Sequence, residues 1–199
     1  MIGRFAGLLC LVLGLGCAVP KSISWTEDNP KRGYRFALAD WTRTSVAYHE
    51  FQTQIFVQAT LLSPAFSKRL TKELTKRAGL TEEQARQHAA TLLSESNKKI
   101  KVFMAVATSD SHWNDLDQRS PTLIARLYVN GSSQAITPTQ LEFLNDNEMA
   151  DKRPFFPYAD RLKTGYLVEF PYSGTQPKKV RLTVSGAPGL SELSWRLDP

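Results

Sequence analysis

Along most of this chain apolar and polar positions alternate with a period of two, as expected for strands that bury one face. Between Arg43 and Leu62, Phe51, Thr53, Ile55, Val57, Ala59 and Leu61 share one parity, while Val46 and Tyr48 take the other. A one-residue slip turns every following side chain over, so the change of parity near His49 and Glu50 predicts a bulge or a tight hairpin there. Val102 to Thr108 (VFMAVAT) is apolar on both parities and predicts a central strand. Pro121 to Val129 alternates through Leu123, Ala125, Leu127 and Val129, and Asn130-Gly131 follows at once. That dipeptide suits the two positive-φ positions of a type I′ turn, so Ser133 to Ile136 is the expected returning strand. Tyr34 to Leu38 reads as the first strand, Leu141 to Leu144 as a short strand or turn, and Gly165 to Tyr172, Lys178 to Val184 and Leu190 to Leu197 as later strands. Thr137 to Pro157 otherwise reads as irregular.

The period changes at Ser63-Pro64, an N-cap followed by a first-position proline, after which Phe66, Leu70 and Leu74 repeat every four residues until Gly79. Thr81-Glu82-Glu83-Gln84 is a capping box, and Ala85, Ala89, Leu92 and Leu93 supply a second apolar stripe. The fold class predicted is therefore mainly β (α+β). It is an antiparallel sandwich, immunoglobulin-like in general architecture but without the Cys and Trp spacing of true immunoglobulin domains, interrupted by a two-helix hairpin over about 64–95.

The amino terminus follows another pattern. Arg4 precedes an uncharged apolar run, Phe5 to Leu15, that has the length of a signal-peptide core and falls short of the roughly 20 apolar residues a membrane span needs. The run ends Leu13-Gly14-Leu15-Gly16-Cys17. Here the chain resembles bacterial lipoprotein precursors, whose lipobox places an aliphatic residue three positions before the cysteine with small residues between. In this chain Leu15 stands two before Cys17, and Gly14 occupies the usual aliphatic position. The resemblance implies cleavage after Gly16, acylation of Cys17 with palmitate-type chains, and a protein held in the bacterial cell envelope by that anchor. Ala18 in place of Asp after Cys17 implies the outer membrane, facing the periplasm. Gly14 and Gly16 equally satisfy an A-x-A-like site for ordinary secretion. Residues 1–16 are thus the expected signal, 17–32 a polar tether carrying Pro20 and Pro30, and 33–199 a single β-sandwich domain.

Composition narrows the chemistry. With 42% hydrophobic and 22% charged residues the chain is an ordinary globular one. Of its two cysteines, Cys10 lies inside the expected signal and Cys17 is the expected lipid site, so cleavage after Gly16 would leave the mature domain without a cysteine for thiol catalysis, a disulfide or a thiolate metal site. The formal charge of +6 falls by one with Arg4 and suits an anionic neighbour such as headgroups or envelope polymer. His49, His88 and His112 have no H-x-x-x-H or H-E-x-x-H spacing; there is no G-x-S-x-G elbow and no phosphate-cradling glycine loop, and Ser96 to Lys99 matches S-x-x-K without its partner motifs.

Certain stretches remain as candidates. Asp110, His112, Asp115 and Asp117 collect metal-type ligands in one loop, with Asp146, Asn147, Glu148 and Asp151 as a second, although the calcium-loop glycine is missing. Lys68, Lys72 and Lys76 stack at four-residue spacing on a face opposite Phe66, Leu70 and Leu74, and so offer a surface for headgroups or polymer. Phe155, Phe156 and Tyr158 lie beside Lys152 and Arg153. They form either an exposed partner-binding patch or an aromatic plug for the end of the sandwich. The leading reading is a non-catalytic envelope lipoprotein, a binding or assembly module with no cofactor. Its partners are the membrane through Cys17 and an anionic polymer or another envelope protein, and not nucleic acid. The alternative is a metal-dependent carbohydrate binder or hydrolase using the Asp110–Asp117 loop.

Overall fold

The computed structural model describes residues 22–27, 29, 31–79, 81–84, 86–87, 90, 98–174 and 176–198. The expected signal peptide, Cys10 and Cys17 lie outside them. In chain order the elements are β1 (Ile23–Ser24), α1 (Tyr34–Trp41), β2 (Thr42–His49), β3 (Gln52–Leu61), α2 (Pro64–Ala78), β4 (Lys99–Thr108), β5 (Ile124–Val129), β6 (Gln140–Leu144), α3 (Asp146–Lys152), β7 (Thr164–Pro171), β8 (Lys179–Gly186) and β9 (Gly189–Asp198). The protein is mainly β. A five-stranded sheet runs β2-β3-β4-β7-β6 and a four-stranded sheet β1-β9-β8-β5, every pair antiparallel except β1 with β9.

The alternating side chains explain the two layers. Ile55, Val57, Ala59 and Leu61 of β3 pair with Thr108, Val106, Met104 and Val102 of β4, and all but Thr108 are buried. Leu127 on β5, Leu182 on β8 and Leu193 on β9 stand in register on the facing sheet, also buried. Between the layers Trp195 donates its indole N–H to the Trp41 carbonyl at 2.8 Å, which satisfies the one polar atom of a large buried ring. β1 covers only two residues of β9. Farther along, Ser45 Oγ of β2 accepts the Glu192 backbone N–H at 3.2 Å and Arg43 Nε donates to the Ser194 carbonyl at 3.0 Å. Side chains of one sheet thereby close the open edge of the other, which would otherwise invite pairing with a second chain.

The hairpin predicted near His49 and Glu50 is present, with Glu50 at φ 53° and a register shift between Ala47 and Tyr48. Asn130 and Gly131 take the expected positive φ values of 55° and 78°, and Ser132 N–H reaches the Val129 carbonyl at 3.0 Å. Ser63 caps α2 through Phe66 N–H at 3.1 Å, and Gly79 ends the helix at φ 63°. The capping box forms in both directions, Thr81 N–H to Gln84 Oε1 at 3.0 Å and Gln84 N–H to Thr81 Oγ1 at 3.3 Å. Residues 82–84, 86–87 and 90 are helical, and the rest of the second limb lies outside the described residues.

Other expectations change. Tyr34 to Leu38 is helix, not strand: Tyr34, Ala37, Leu38 and Trp41 are its buried residues, a helical spacing that five residues read alone conceal. The expected tether joins the fold before Arg32, because Ile23 pairs with Leu197 and Trp25 is buried against Trp41 at 6.2 Å. The strand expected at Ser133 to Ile136 shrinks to one bridge, Leu127 with Ile136. Within Thr137 to Pro157 a short helix, α3, forms.

Candidate functional site

Three sequence candidates come to the surface or leave it according to what each side chain bonds. In the loop after β4, Asp110 caps a short 3₁₀ turn (Ser111–Trp113), accepting His112 N–H at 2.9 Å and contacting its ring Nδ1 at 2.8 Å. Those His112 contacts hold the Asp110 carboxyl below the usual range. Asp115 faces the other way. It is only 4% exposed and accepts Thr122 N–H at 2.7 Å, Thr122 Oγ1–H at 2.9 Å and Leu123 N–H at 3.0 Å. Burial pushes its carboxyl up, and these three donors outweigh burial and hold it low. Asp115 is therefore a clamp that holds the loop against the start of β5, with three donors on its carboxylate. Asp117 is exposed and stands apart from this network. The four weak metal candidates do not converge, and among the described residues no group of three His, Cys, Asp or Glu side chains is placed to hold an ion.

The second ligand loop is a helix start. Asn145 accepts the N–H groups of Asn147 and Glu148 at 3.0 and 3.1 Å, and Glu148 Oε2 accepts Asn145 N–H at 2.8 Å, a complete capping box at α3. Asn145, Asp146 and Glu148 fit a helix N-terminus because acidic and short polar groups satisfy its free N–H groups and favour its dipole.

Phe155, Phe156 and Tyr158 form no exposed patch, and they do not plug an end of the sandwich. Thr42, Thr60, Phe103 and Leu167 lie in register across the outward face of the five-stranded sheet. The segment after α3 lies over them. Phe156 is 4% exposed with its ring 4.4 Å from Phe103, and the Tyr158 hydroxyl meets Thr60 Oγ1 at 2.6 Å. Burial pushes the Tyr158 hydroxyl far up, so it stays protonated. Phe155 is half-buried, under the Arg77 guanidinium at 5.6 Å, and its carbonyl accepts the Tyr34 hydroxyl at 2.9 Å. Met149 of α3 packs where a Cβ on Gly165 would stand. The aromatic stretch is thus a roof over one sheet, with Phe156 buried and Phe155 and Tyr158 half-buried.

Lys68, Lys72 and Lys76 behave differently. Phe66 is buried and Leu70 and Leu74 are half-buried, which leaves the three lysines exposed on the outward side of α2. Glu73, the acidic residue of α2, is engaged by Arg77 at 2.6 Å. Lys68 Nζ lies 3.5 Å from the Thr26 carbonyl, and Ala65 N–H bonds the Trp25 carbonyl at 3.1 Å, so the lysine row begins where the amino-terminal segment enters the fold.

A cavity of about 440 Å³ lies beside that segment, with Glu27, Arg32 and Asp40 on its polar wall and Trp41, Ala65 and Phe66 on its apolar wall. Arg32 and Asp40 pair with each other there.

Sequence reading missed one feature altogether. The outward positions of β5, β8 and β9 carry Arg126, Lys179, Arg181 and Arg196, detectable as the polar parity of three alternating strands once their register is known. Among the described residues no helix is long and apolar enough to cross a membrane. No protein-family model, curated protein or solved structure matches this chain.

Proposed function

We propose that the protein is a non-catalytic binding or assembly module of the bacterial envelope, tethered to the outer membrane on its periplasmic side through acylated Cys17. The observation that carries this reading is the lysine row of α2 placed beside the incoming chain. Five residue steps separate Cys17 from Ser22, a reach of at most about 18 Å, so an anchor at Cys17 would keep Lys68 and its neighbours near the headgroups. Each exposed lysine there contributes about 1 kcal/mol, screened beyond about 8 Å at physiological salt. Three together orient a tethered domain, and the acyl chains hold it. The lipobox resemblance at Leu13 to Cys17 supports the anchor, and the engagement of Asp115 in loop closure supports a role without catalysis at that loop.

Replacing Cys17 with Ser is expected to move the protein from the membrane to the soluble fraction. Changing Lys68, Lys72 and Lys76 to Gln in that released chain is expected to weaken its salt-sensitive binding to vesicles containing phosphatidylglycerol. A Cys17→Ser protein that stays membrane-bound in high salt would overturn the anchor, and equal vesicle binding with and without the lysines would reduce them to a solvated helix face.

A further inference from the structure

The outward face of the four-stranded sheet is bare where the other sheet is roofed, and its register arranges its charges. Arg126 stands opposite Thr183, which stands opposite Glu192; Tyr128 stands opposite Arg181, which stands opposite Ser194; Lys179 stands opposite Arg196. Arg126, Arg181 and Arg196 therefore step diagonally, one strand and one row at a time, across β5, β8 and β9. Diagonal neighbours of this kind are about 7–8 Å apart, so the three arginines leave the sheet from evenly spaced positions along a line. On these rows the cations Arg126, Lys179, Arg181 and Arg196 face one carboxylate, Glu192. Glu192 fixes the middle of the line, bonding Arg181 at 2.9 Å, and the Arg181 guanidinium lies 4.2 Å over the Tyr128 ring. Arg126 and Arg196 have no ion-pair or hydrogen-bond partner among the described residues, and Arg196 and Lys179 are exposed.

We propose that this arginine diagonal binds an extended phosphate-bearing polymer other than nucleic acid, of non-nucleotide phosphodiester or phosphorylated-polysaccharide type, with anionic groups at Arg126 and Arg196 on either side of the Arg181–Glu192 pair. The proposal rests on the reading of the protein as an envelope binding module and names the partner class. Guanidinium groups present a planar fork that bonds two phosphate oxygens at once, and a pleated sheet holds their bases at fixed spacing. A line of cations fits a chain better than a plane of headgroups. Single-stranded nucleic acid also has spaced phosphates, but its binding sites add open aromatic platforms for the bases. On these rows the aromatic ring is that of Tyr128, and Arg181 covers it.

The test uses the purified Cys17→Ser chain and polyphosphate as the probe, followed by fluorescence anisotropy across a salt titration. Parent protein is expected to bind polyphosphate with affinity that falls as salt rises. The Arg126→Gln/Arg196→Gln variant, which leaves the Arg181–Glu192 pair intact, is expected to lose about tenfold or more. Arg126→Lys/Arg196→Lys should fall between the two, because charge is kept and the fork is lost. Lys68→Gln/Lys72→Gln/Lys76→Gln is expected to stay within about twofold of the parent, since those lysines lie on another surface. Superimposable melting curves establish that each variant is folded, and the Lys pair carries the comparison if the Gln pair is not. Equal polyphosphate binding by a folded arginine variant overturns the proposal. So does tighter binding of the parent to oligothymidylate or to phosphatidylglycerol vesicles than to polyphosphate at matched phosphate concentration. A failed anchor test with polyphosphate binding still lost in the arginine variant would leave this site standing and move the protein elsewhere.

Discussion

The two sheets bury their inner faces in the same way and differ on their outer ones. Outward from the five-stranded sheet stand Thr60, Phe103 and Ala105, all buried beneath Phe156, Tyr158 and Met149. Outward from the four-stranded sheet stand Arg126, Tyr128, Lys179, Arg181 and Arg196, open or half-open to water. Under the roof a strand has no parity left for charge, which is why β4 reads VFMAVA from Val102 to Ala107; its charges, Lys99 and Lys101, stand at its start, where they pair with Glu169 of β7. A strand covered on one side keeps charges on the other. The contrast therefore divides the molecule into a packed side and an open one, and the expected effects of substitution on stability follow that division.

The largest expected difference comes from aromatic truncation on the two faces. Phe156 is 4% exposed, packed on Phe103 at 4.4 Å and near Phe66 and Tyr158 at 6.2 and 6.0 Å. Removing it opens a cavity between roof and sheet, so Phe156→Ala should lower the unfolding free energy in urea by about 3–5 kcal/mol. Tyr128→Ala on the bare face loses a half-exposed ring and its cation–π contact, and should cost about 0.5–1 kcal/mol. Equal losses at the two positions would mean that the roof is not packed as a second core.

The next effect concerns Asp115, the clamp between the β4 loop and β5. Asp115→Ala strands the Leu123 N–H in a buried site and takes the partner from the part-buried Thr122 N–H, and should cost about 2–4 kcal/mol. Its pH dependence has a definite sign. The folded carboxyl lies below its ordinary value of 3.8, so the ionised form is favoured by folding. That contribution is complete above pH 3.8 and is lost as pH falls through the folded pKa. Asp115→Asn should make the acid limb of a stability–pH curve shallower while leaving the neutral and basic range flat. An unchanged acid limb would show that Asp160 and Glu169, also held low by their lysine partners against the effect of burial, carry the acid sensitivity instead.

These contrasts also show what the sequence made legible. Strand positions, the slip near Glu50, the Asn130-Gly131 turn and both caps of α2 depend on neighbours close in the chain, and local patterning reported them. The α1 helix was hidden because its buried set, Tyr34 to Trp41, extends past the five residues that resemble a strand. Asp115 looked like a ligand because its composition is that of a ligand; its bonds run to Thr122 and Leu123, whose direction depends on how the loop closes. The arginine diagonal was invisible for a related reason. Arg126, Arg181 and Arg196 are far apart in the chain, and only the pairing of β5, β8 and β9 brings them into line. Long-range register is the information a single sequence withholds.

The smallest expected effects lie where charge is exposed, and one residue type allows the comparison to be drawn on both faces. Lys163 belongs to the roofed side: its ammonium donates to Gln58 at 3.0 Å, to the Tyr158 carbonyl at 3.2 Å and to Asp160 at 2.7 Å, and its side chain is 12% exposed. Replacing it with Gln breaks a set of bonds that ties the roof to β3, and should cost about 1–2 kcal/mol. Lys68, Lys72 and Lys76 have no such framework beyond the long contact of Lys68 with Thr26, and their joint change to Gln should leave stability within about 0.5 kcal/mol of the parent. Arg126→Gln/Arg196→Gln should also stay in that range, or gain slightly, because removing like charges from a crowded face relieves repulsion. Urea titrations of the three variants at low and high salt separate the cases. Lys163→Gln should remain destabilised in high salt, since its bonds are partly buried and weakly screened, whereas any shift in the surface variants should disappear. A loss of 1 kcal/mol or more in the exposed-lysine or arginine variants would mean that the bare face and the α2 row are held by structure and are not free to bind.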